Sequence, residues 1–397
     1  MASANAYASK GQHYEAVLQY QNAIRNAPAS GEAFLKLGDA YMALGRGAAA
    51  LSSFMRAADL MPRHVGAHLK AANLQLIDGQ FKEAAARARI VLEQDPRNVD
   101  ALVLLGNALG EMRDFDGALA EIGEALALAP SSSSPYLLLG RLKLAQGERK
   151  EAAAAFTKAV SVEPDSIEAQ LSAGRYYWMT GSLARAETHF RQALALDPKG
   201  IRTNRVMASF YLASRRVGEA EGPLKTVAAT ADDSRSRIAL ADYYVLANRV
   251  PDARRILTAL AEHTSTMVAA ATRLAALADR EGKTADASAL LDRVLAQSPD
   301  YVPALLLKTR LLLLERRKDD ALAHASRATT ADPRSAAAHY MVGVLTAARG
   351  QREQAIAAFE RVHELAPRAA SPLVQLSRLQ LLAGRSGVAL GHAQRAV

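Results

Sequence analysis

Prolines mark a regular interval along this chain. They stand at 28, 62, 96, 130, 164 and 198, each 34 residues after the last, and resume at 299, 333 and 367. A fixed period of about 20–50 residues signals a stacked-repeat architecture. Each unit is one supersecondary element that cannot bury its apolar face alone, so neighbours must stack. The interval from 198 to 299 is three periods less one residue.

Laying the units over one another exposes further columns. Twelve residues before each proline position stands alanine, without exception: Ala16, Ala50, Ala84, Ala118, Ala152, Ala186, Ala220, Ala253, Ala287, Ala321, Ala355 and Ala389. A column twelve residues earlier is always small, from Ala4, Gly38 and Ala72 through Gly140, Gly174 and Gly343 to Ser377. A third is mostly bulky, including Tyr20, Phe54, Ile122, Phe156, Phe190, Leu257 and Phe359. Within each unit the apolar residues recur at intervals of 3, 4 and 7, the mark of amphipathic helices, in two stretches split by breaks such as Gly45, Gly147 and Gly181. Small residues let two helix axes approach closely, and proline stops the second helix. About one residue in five is alanine and only 5% are aromatic, which favours helix over strand. The expected fold is all-α, with about 23–24 helices and no strands, as one continuous solenoid over residues 1–397 rather than separate domains.

Unit two carries Phe34, Leu37, Gly38, Tyr41, Ala50, Phe54, Ala57 and Pro62. On these residues the chain resembles the tetratricopeptide repeat (TPR) family, over about twelve units. The resemblance implies paired antiparallel helices, A and B, in a right-handed superhelix whose concave groove is lined by the A helices. The opening Asn5-Ala6-Tyr7-Ala8-Ser9-Lys10-Gly11 and Tyr14-Glu15-Ala16 are also similar to the first repeat of bacterial TPR lipoproteins of envelope and exopolysaccharide systems.

Residues 199–298 form the weakest stretch. Asp232 and Ser265 stand where terminal prolines are expected, one residue is missing, and Pro223 falls inside a B helix, where it predicts a kink. These repeats are expected to open first. Pro135, Pro251, Pro303 and Pro372 instead fall in first helical turns, where proline is tolerated. In register, Met1 begins partway into unit one and Val397 ends partway through unit twelve. The chain therefore reads as a fragment, with an uncapped C-terminal end prone to end-to-end self-association.

The absence of cysteine removes disulfides, thiolate metal sites and cysteine nucleophiles. His68 and His339 share a bulky fourth position and read as packing rather than metal ligation. Neither a phosphate-binding loop nor a serine-nucleophile elbow occurs. No catalytic, cofactor or metal site is expected, and the chain reads as non-enzymatic. Net charge is +9. Residues 1–198 hold 20 Lys and Arg against 21 Asp and Glu, so residues 199–397 carry the whole excess. A basic half invites nucleic acid, anionic lipid or an acidic protein segment; the basic residues are dispersed among acids without an aromatic stacking motif, which argues against nucleic acid.

In the TPR arrangement, helix-A positions 2, 5, 9, 12 and 13 face the groove. Position 9 runs Asn5, Asp39, Asn73, Asn107, Arg141 and Arg175, with Arg202 and Arg205 one unit later at positions 2 and 5. Trp178, the only tryptophan, takes position 12, with Tyr136 and Leu171 near it in the pattern. The expected site is thus Asn73, Asn107, Arg141, Leu171, Arg175, Trp178, Arg202 and Arg205. The amides would bond a peptide backbone, the arginines would engage acidic side chains, and Trp178 would cover an apolar one. The leading reading is a scaffold that binds a protein segment of about 12–20 residues in the groove. The alternatives are an accessory region of a larger enzyme, such as a glycosyltransferase, or of an envelope-assembly lipoprotein. The location would be cytoplasmic by default, and periplasmic if a lipoprotein leader precedes this chain.

Overall fold

A computed structural model describes residues 1–231 and 233–396. It contains twenty-four α-helices, one short 3-10 helix and, among the described residues, no strand. The helices alternate as expected for an α-solenoid. A helices are mostly 13 residues long, such as Ile167–Met179, and B helices mostly 14, such as Leu183–Leu196. Among the described residues no helix is long and apolar enough to cross a membrane. The chain divides into two compact units, Met1–Phe210 and Tyr211–Val397.

All twelve column alanines are buried. The small and bulky columns meet inside each hairpin, and their sizes are matched. A Cβ added to Gly38 would lie 2.4 Å from Phe54, one on Gly174 2.4 Å from Phe190, and one on Gly343 2.9 Å from Phe359. Where the bulky position is leucine, as at Leu257 and Leu291, the partner is alanine (Ala241, Ala275); where it shrinks to Ala325, the partner grows to Thr309. In these hairpins a smaller bulky residue goes with a larger small-column residue, as a close-packed interior favours, although Ala72 with Ala88 is small on both sides.

Each A–B turn contains one residue with positive φ. Glycine fills eight of these positions, and Arg113, Arg215, Asn248 and Arg316 fill the others. The B–A loops are pinned differently. In five repeats the fourth residue of helix A bonds the proline carbonyl six residues earlier. His68 Nε2 lies 3.0 Å from the Pro62 oxygen, Gln170 Nε2 2.8 Å from Pro164, and Asn204 Nδ2 3.0 Å from Pro198. The Tyr136 hydroxyl and His339 Nε2 make the same bond to Pro130 and Pro333. The bulky fourth position is therefore a loop clamp.

The irregular stretch departs from expectation in one respect. Pro223 does not kink a B helix. The first turn of that helix is replaced by the 3-10 segment Val217–Ala220, and the α-helix begins at Glu221. Pro223 thus falls in a first turn, where its missing N–H would lack a helical partner anyway. Ser265 lies inside an A helix lengthened to 17 residues, Thr264–Arg280. Without proline, the preceding residue is not forced out of helical geometry, so the helix starts early. Asp232, the other proline replacement, lies outside the described residues.

Within each unit, A helices of successive repeats approach one another more closely than B helices do; Val65–Ile77 touches Val99–Glu111, and Val302–Leu314 touches Ala336–Ala348. The A helices therefore line the inner side of each stack.

Candidate functional site

Asn73, Arg175, Arg202 and Arg205 are exposed on this inner face, and Asn107 is half-buried there. Arg141 and Asn107, one repeat apart, are bonded directly: Arg141 Nη2 donates to Asn107 Oδ1 at 2.6 Å. Both line a pocket of about 330 Å³ with Glu111, Arg113, Phe115 and Leu138. Arg141 keeps solvent access, yet surrounding protein atoms strip part of its hydration and lower its pKa, a loss that Glu168 and Glu111 partly offset. Arg113 holds positive φ at the pocket edge.

The arginine cluster is organised by an acid that the sequence reading passed over. Glu168 accepts hydrogen bonds from Arg202 and from the Ser172 hydroxyl. Burial alone would raise the Glu168 pKa; the bond and charge of Arg202, with help from Ser172 and Arg175, overcome this and hold the carboxyl below its ordinary range. Arg202 is correspondingly raised, chiefly by the Glu168 bond. Glu168 stands 34 residues before Arg202, at position 2 of its repeat, so the repeat period itself carried the signal. The same lateral pairing recurs between neighbouring A helices as Lys70 with Asp39 and Arg273 with Asp242. Position 9 is thus partly spent on tying repeats together.

Two expected contacts need correction. Leu171 has no exposed surface and belongs to the core, as do Leu35 and Leu137 at the same position 5. Trp178 is half-buried rather than bare. Its ring stands edge-on to Phe190 and Phe210, with centroids 6.1 and 5.6 Å away, so packing between helices accounts for most of it. Tyr136 is engaged in its loop clamp.

A second row was missed. Ile77, Met179, Leu246, Leu314 and Leu382 are each the final residue of an A helix, and are 76, 61, 62, 67 and 61% exposed. Each stands four residues after position 9, hence on the same helix face one turn later. Ile77 and Met179 belong to the first unit and Leu246, Leu314 and Leu382 to the second. Among the described residues, no three His, Asp or Glu side chains converge as a metal site.

Stacked helical hairpins with a built inner face define a class of repeat scaffold. Models described as tetratricopeptide repeat or TPR repeat match residues 4–45, 31–64, 75–142, 137–201 and 280–345, and the chain belongs to the tetratricopeptide repeat family. It is 36% identical over 100 residues to Superkiller complex protein 3 of Homo sapiens, across 25% of this chain and 6% of that protein. It is 34% identical over 100 residues to tetratricopeptide repeat protein 37 of Xenopus laevis, with the same shares. The chain thus spans a small fraction of these curated relatives. The crystal structure of yeast Tom70 overlays with a TM-score of 0.51 at 15% identity, covering 99% of this chain and 90% of that one, a likeness of fold alone.

Proposed function

We propose that this protein is a non-enzymatic interaction scaffold that binds an acidic protein segment with an apolar anchor along the inner A-helix face of repeats three to seven. The observation that carries this reading is the double row on that face. Polar position 9 (Asn73, Asn107, Arg141, Arg175) is flanked at its two ends by the exposed apolar residues Ile77 and Met179, with Glu111 and Ala145 between them. Asn73 and Asn107 suit a peptide backbone, which presents both donors and acceptors. Arg175, Arg202 and Arg205 suit carboxylates, with Glu168 holding Arg202 in position. The exposed edge of Trp178, fixed from behind by Phe190 and Phe210, adds a rigid apolar contact beside Met179.

The test is affinity capture with the full chain, followed by measured affinity for the partner recovered. Arg175→Ala combined with Met179→Asp alters two exposed side chains and leaves the core intact. The double variant is expected to bind at least about tenfold more weakly, and parent binding is expected to fall as salt rises. Equal affinity at unchanged helicity would refute the reading.

A further inference from the structure

The two edges of the second unit differ in charge. Consecutive helices reverse direction, so A–B turns lie on one edge of the stack and B–A loops on the other. The A–B turns of repeats eight to twelve hold Arg249, Lys283, Arg316, Arg317, Arg349 and Arg385 against Glu281 and Glu315. The B–A loops between these repeats hold Arg334 and Arg368 against Glu262, Asp300 and Asp332. The turn edge is net basic and the loop edge net acidic. Apolar residues alternate with the cations. The A helices of repeats eight to twelve end at Leu246, Arg280, Leu314, Ala348 and Leu382, and the three leucines are exposed. Val388, in the first turn of the helix Ser386–Arg395, is exposed as well.

Ion pairs do not use up the cations of the turn edge. Asp252 is held by Arg249, Glu281 by Lys283, Glu315 and Asp320 by Arg317, Asp319 by Arg349, and Glu353 by Arg385. With these pairs set aside, Arg280, Arg316, Lys318 and Arg352 stand exposed at the turns, and among the described residues none of the four has an acidic partner. The acid left over is Asp286, in the first turn of its helix, where the helix dipole favours it. Arg316 also holds a φ of 62°, the left-handed position that glycine fills in repeats nine, eleven and twelve. A side chain there strains the backbone, and among the described residues no side-chain bond within the protein compensates Arg316 for it.

We propose that the A–B turn edge of repeats eight to twelve binds the surface of an anionic lipid bilayer. Arg280, Arg316, Lys318 and Arg352 lie among the headgroups, and Leu246, Leu314 and Leu382 enter the interfacial layer beside them. Cations are drawn to an anionic leaflet, and apolar side chains next to them gain by leaving water for it, so the alternation suits a membrane surface. The free cations are strung along successive turns rather than gathered into a pocket. A continuous layer of headgroups meets that arrangement better than a discrete peptide does. The proposal uses residues of the second unit alone and does not depend on the scaffold reading.

The experiment is flotation of the full chain with vesicles of phosphatidylcholine alone or with about 30 mol% phosphatidylserine. Binding is expected only with phosphatidylserine, and it should fall as salt rises. Arg316→Gly/Lys318→Ser/Arg352→Ser removes three free cations, and its glycine also relieves the left-handed position. Leu314→Ser/Leu382→Ser removes two exposed apolar side chains. Each variant should bind at least about tenfold more weakly with helicity unchanged. Arg334→Ser/Arg368→Ser on the loop edge and Arg175→Ala/Met179→Asp in the first unit should each stay within about twofold of the parent. Equal binding to neutral vesicles, no binding up to about 1 mM lipid, indifference to either turn-edge variant, or an equal loss through the loop-edge variant would each overturn the proposal. So would polyglutamate or duplex DNA binding as tightly with the same losses in the variants, since the edge would then be a site for polyanions in general.

Discussion

Repeat six and repeat nine enter their A helices in different ways. Before repeat six, Pro164 follows the end of the B helix at Val162, Gln170 donates to its carbonyl, and the helix begins at Ile167 capped by Ser166. Before repeat nine, Ser265 replaces proline, position 4 is Ala271, and helix begins at Thr264, directly after a B helix that stops at Ala261. There Thr266 bonds the Leu260 carbonyl instead. The hairpin interiors differ in parallel: Gly174 against Phe190 in one, Ala275 against Leu291 in the other. One fold therefore tolerates two loop solutions and two interior pairings, provided each is complete. The pair, not the single residue, is the unit that the sequence specifies.

Breaking an interior pair should have the largest effect. In Gly174→Ala the new Cβ meets the Phe190 ring at 2.4 Å, with Trp178 and Phe210 packed behind that ring. The ring has little room to retreat, so the variant should lose about 1–3 kcal/mol of stability. Leu291→Phe in repeat nine should cost a similar amount, and Ala275→Gly/Leu291→Phe should recover most of it. Urea unfolding of the parent, Gly174→Ala, Ala275→Gly, Leu291→Phe and the double variant measures this. Simple additivity in the double variant would show that the two columns do not form a pair.

Removing one clamp comes next. Gln170 donates through Nε2 to Pro164 and accepts at Oε1 from His189 Nδ1 at 2.8 Å. Gln170→Leu keeps the volume but strands both partners, at a cost of about 1–3 kcal/mol. Hydrogen exchange resolved by segment should show opening of the loop before Ile167. The matching change Ala271→Ser, which has no proline carbonyl to reach, should leave exchange in repeat nine unaltered.

Most of the fold was legible because proline, alanine and glycine act through the backbone and through size, and both leave marks at fixed spacing. The period placed the hairpins, and the small column marked where two helix axes approach closely. The candidate site was less legible for a geometric reason. Superposing repeats shows which positions are equivalent, but not which equivalent positions touch across the stack. Arg202 looked like a cation awaiting a ligand, although its acid, Glu168, lies 34 residues earlier. Leu171 was assigned to the groove by its position number, yet position 5 is buried in other repeats too, at Leu35 and Leu137. The exposed ends Ile77, Met179, Leu246, Leu314 and Leu382 were in plain view as a column. They occupy position 13, which the repeat arrangement already turns toward the groove, but apolar character alone does not distinguish an exposed helix end from a packed one.

The smallest expected effect separates clamps that titrate from clamps that do not. His68 Nε2 donates to Pro62, which leaves Nδ1 as the unprotonated nitrogen, buried and without a hydrogen-bond partner. Protonation would place a charged N–H there with nothing to accept it. Burial accordingly lowers the His68 pKa, against the opposing Pro62 bond, and Arg87 lowers it further. A histidine whose folded pKa lies below its unfolded value of about 6.5 binds fewer protons when folded. Its contribution is fully present above that unfolded value and is lost as pH falls from there toward the folded one. Gln170 performs the same clamping in repeat six without a titrating group. His68→Gln should therefore retain the Pro62 bond and match the parent near pH 8. It should lose less stability than the parent when melts are repeated below about pH 6.5. Identical pH dependence in the two proteins would mean that His68 takes up protons equally in the folded and unfolded chain, and that acid acts elsewhere.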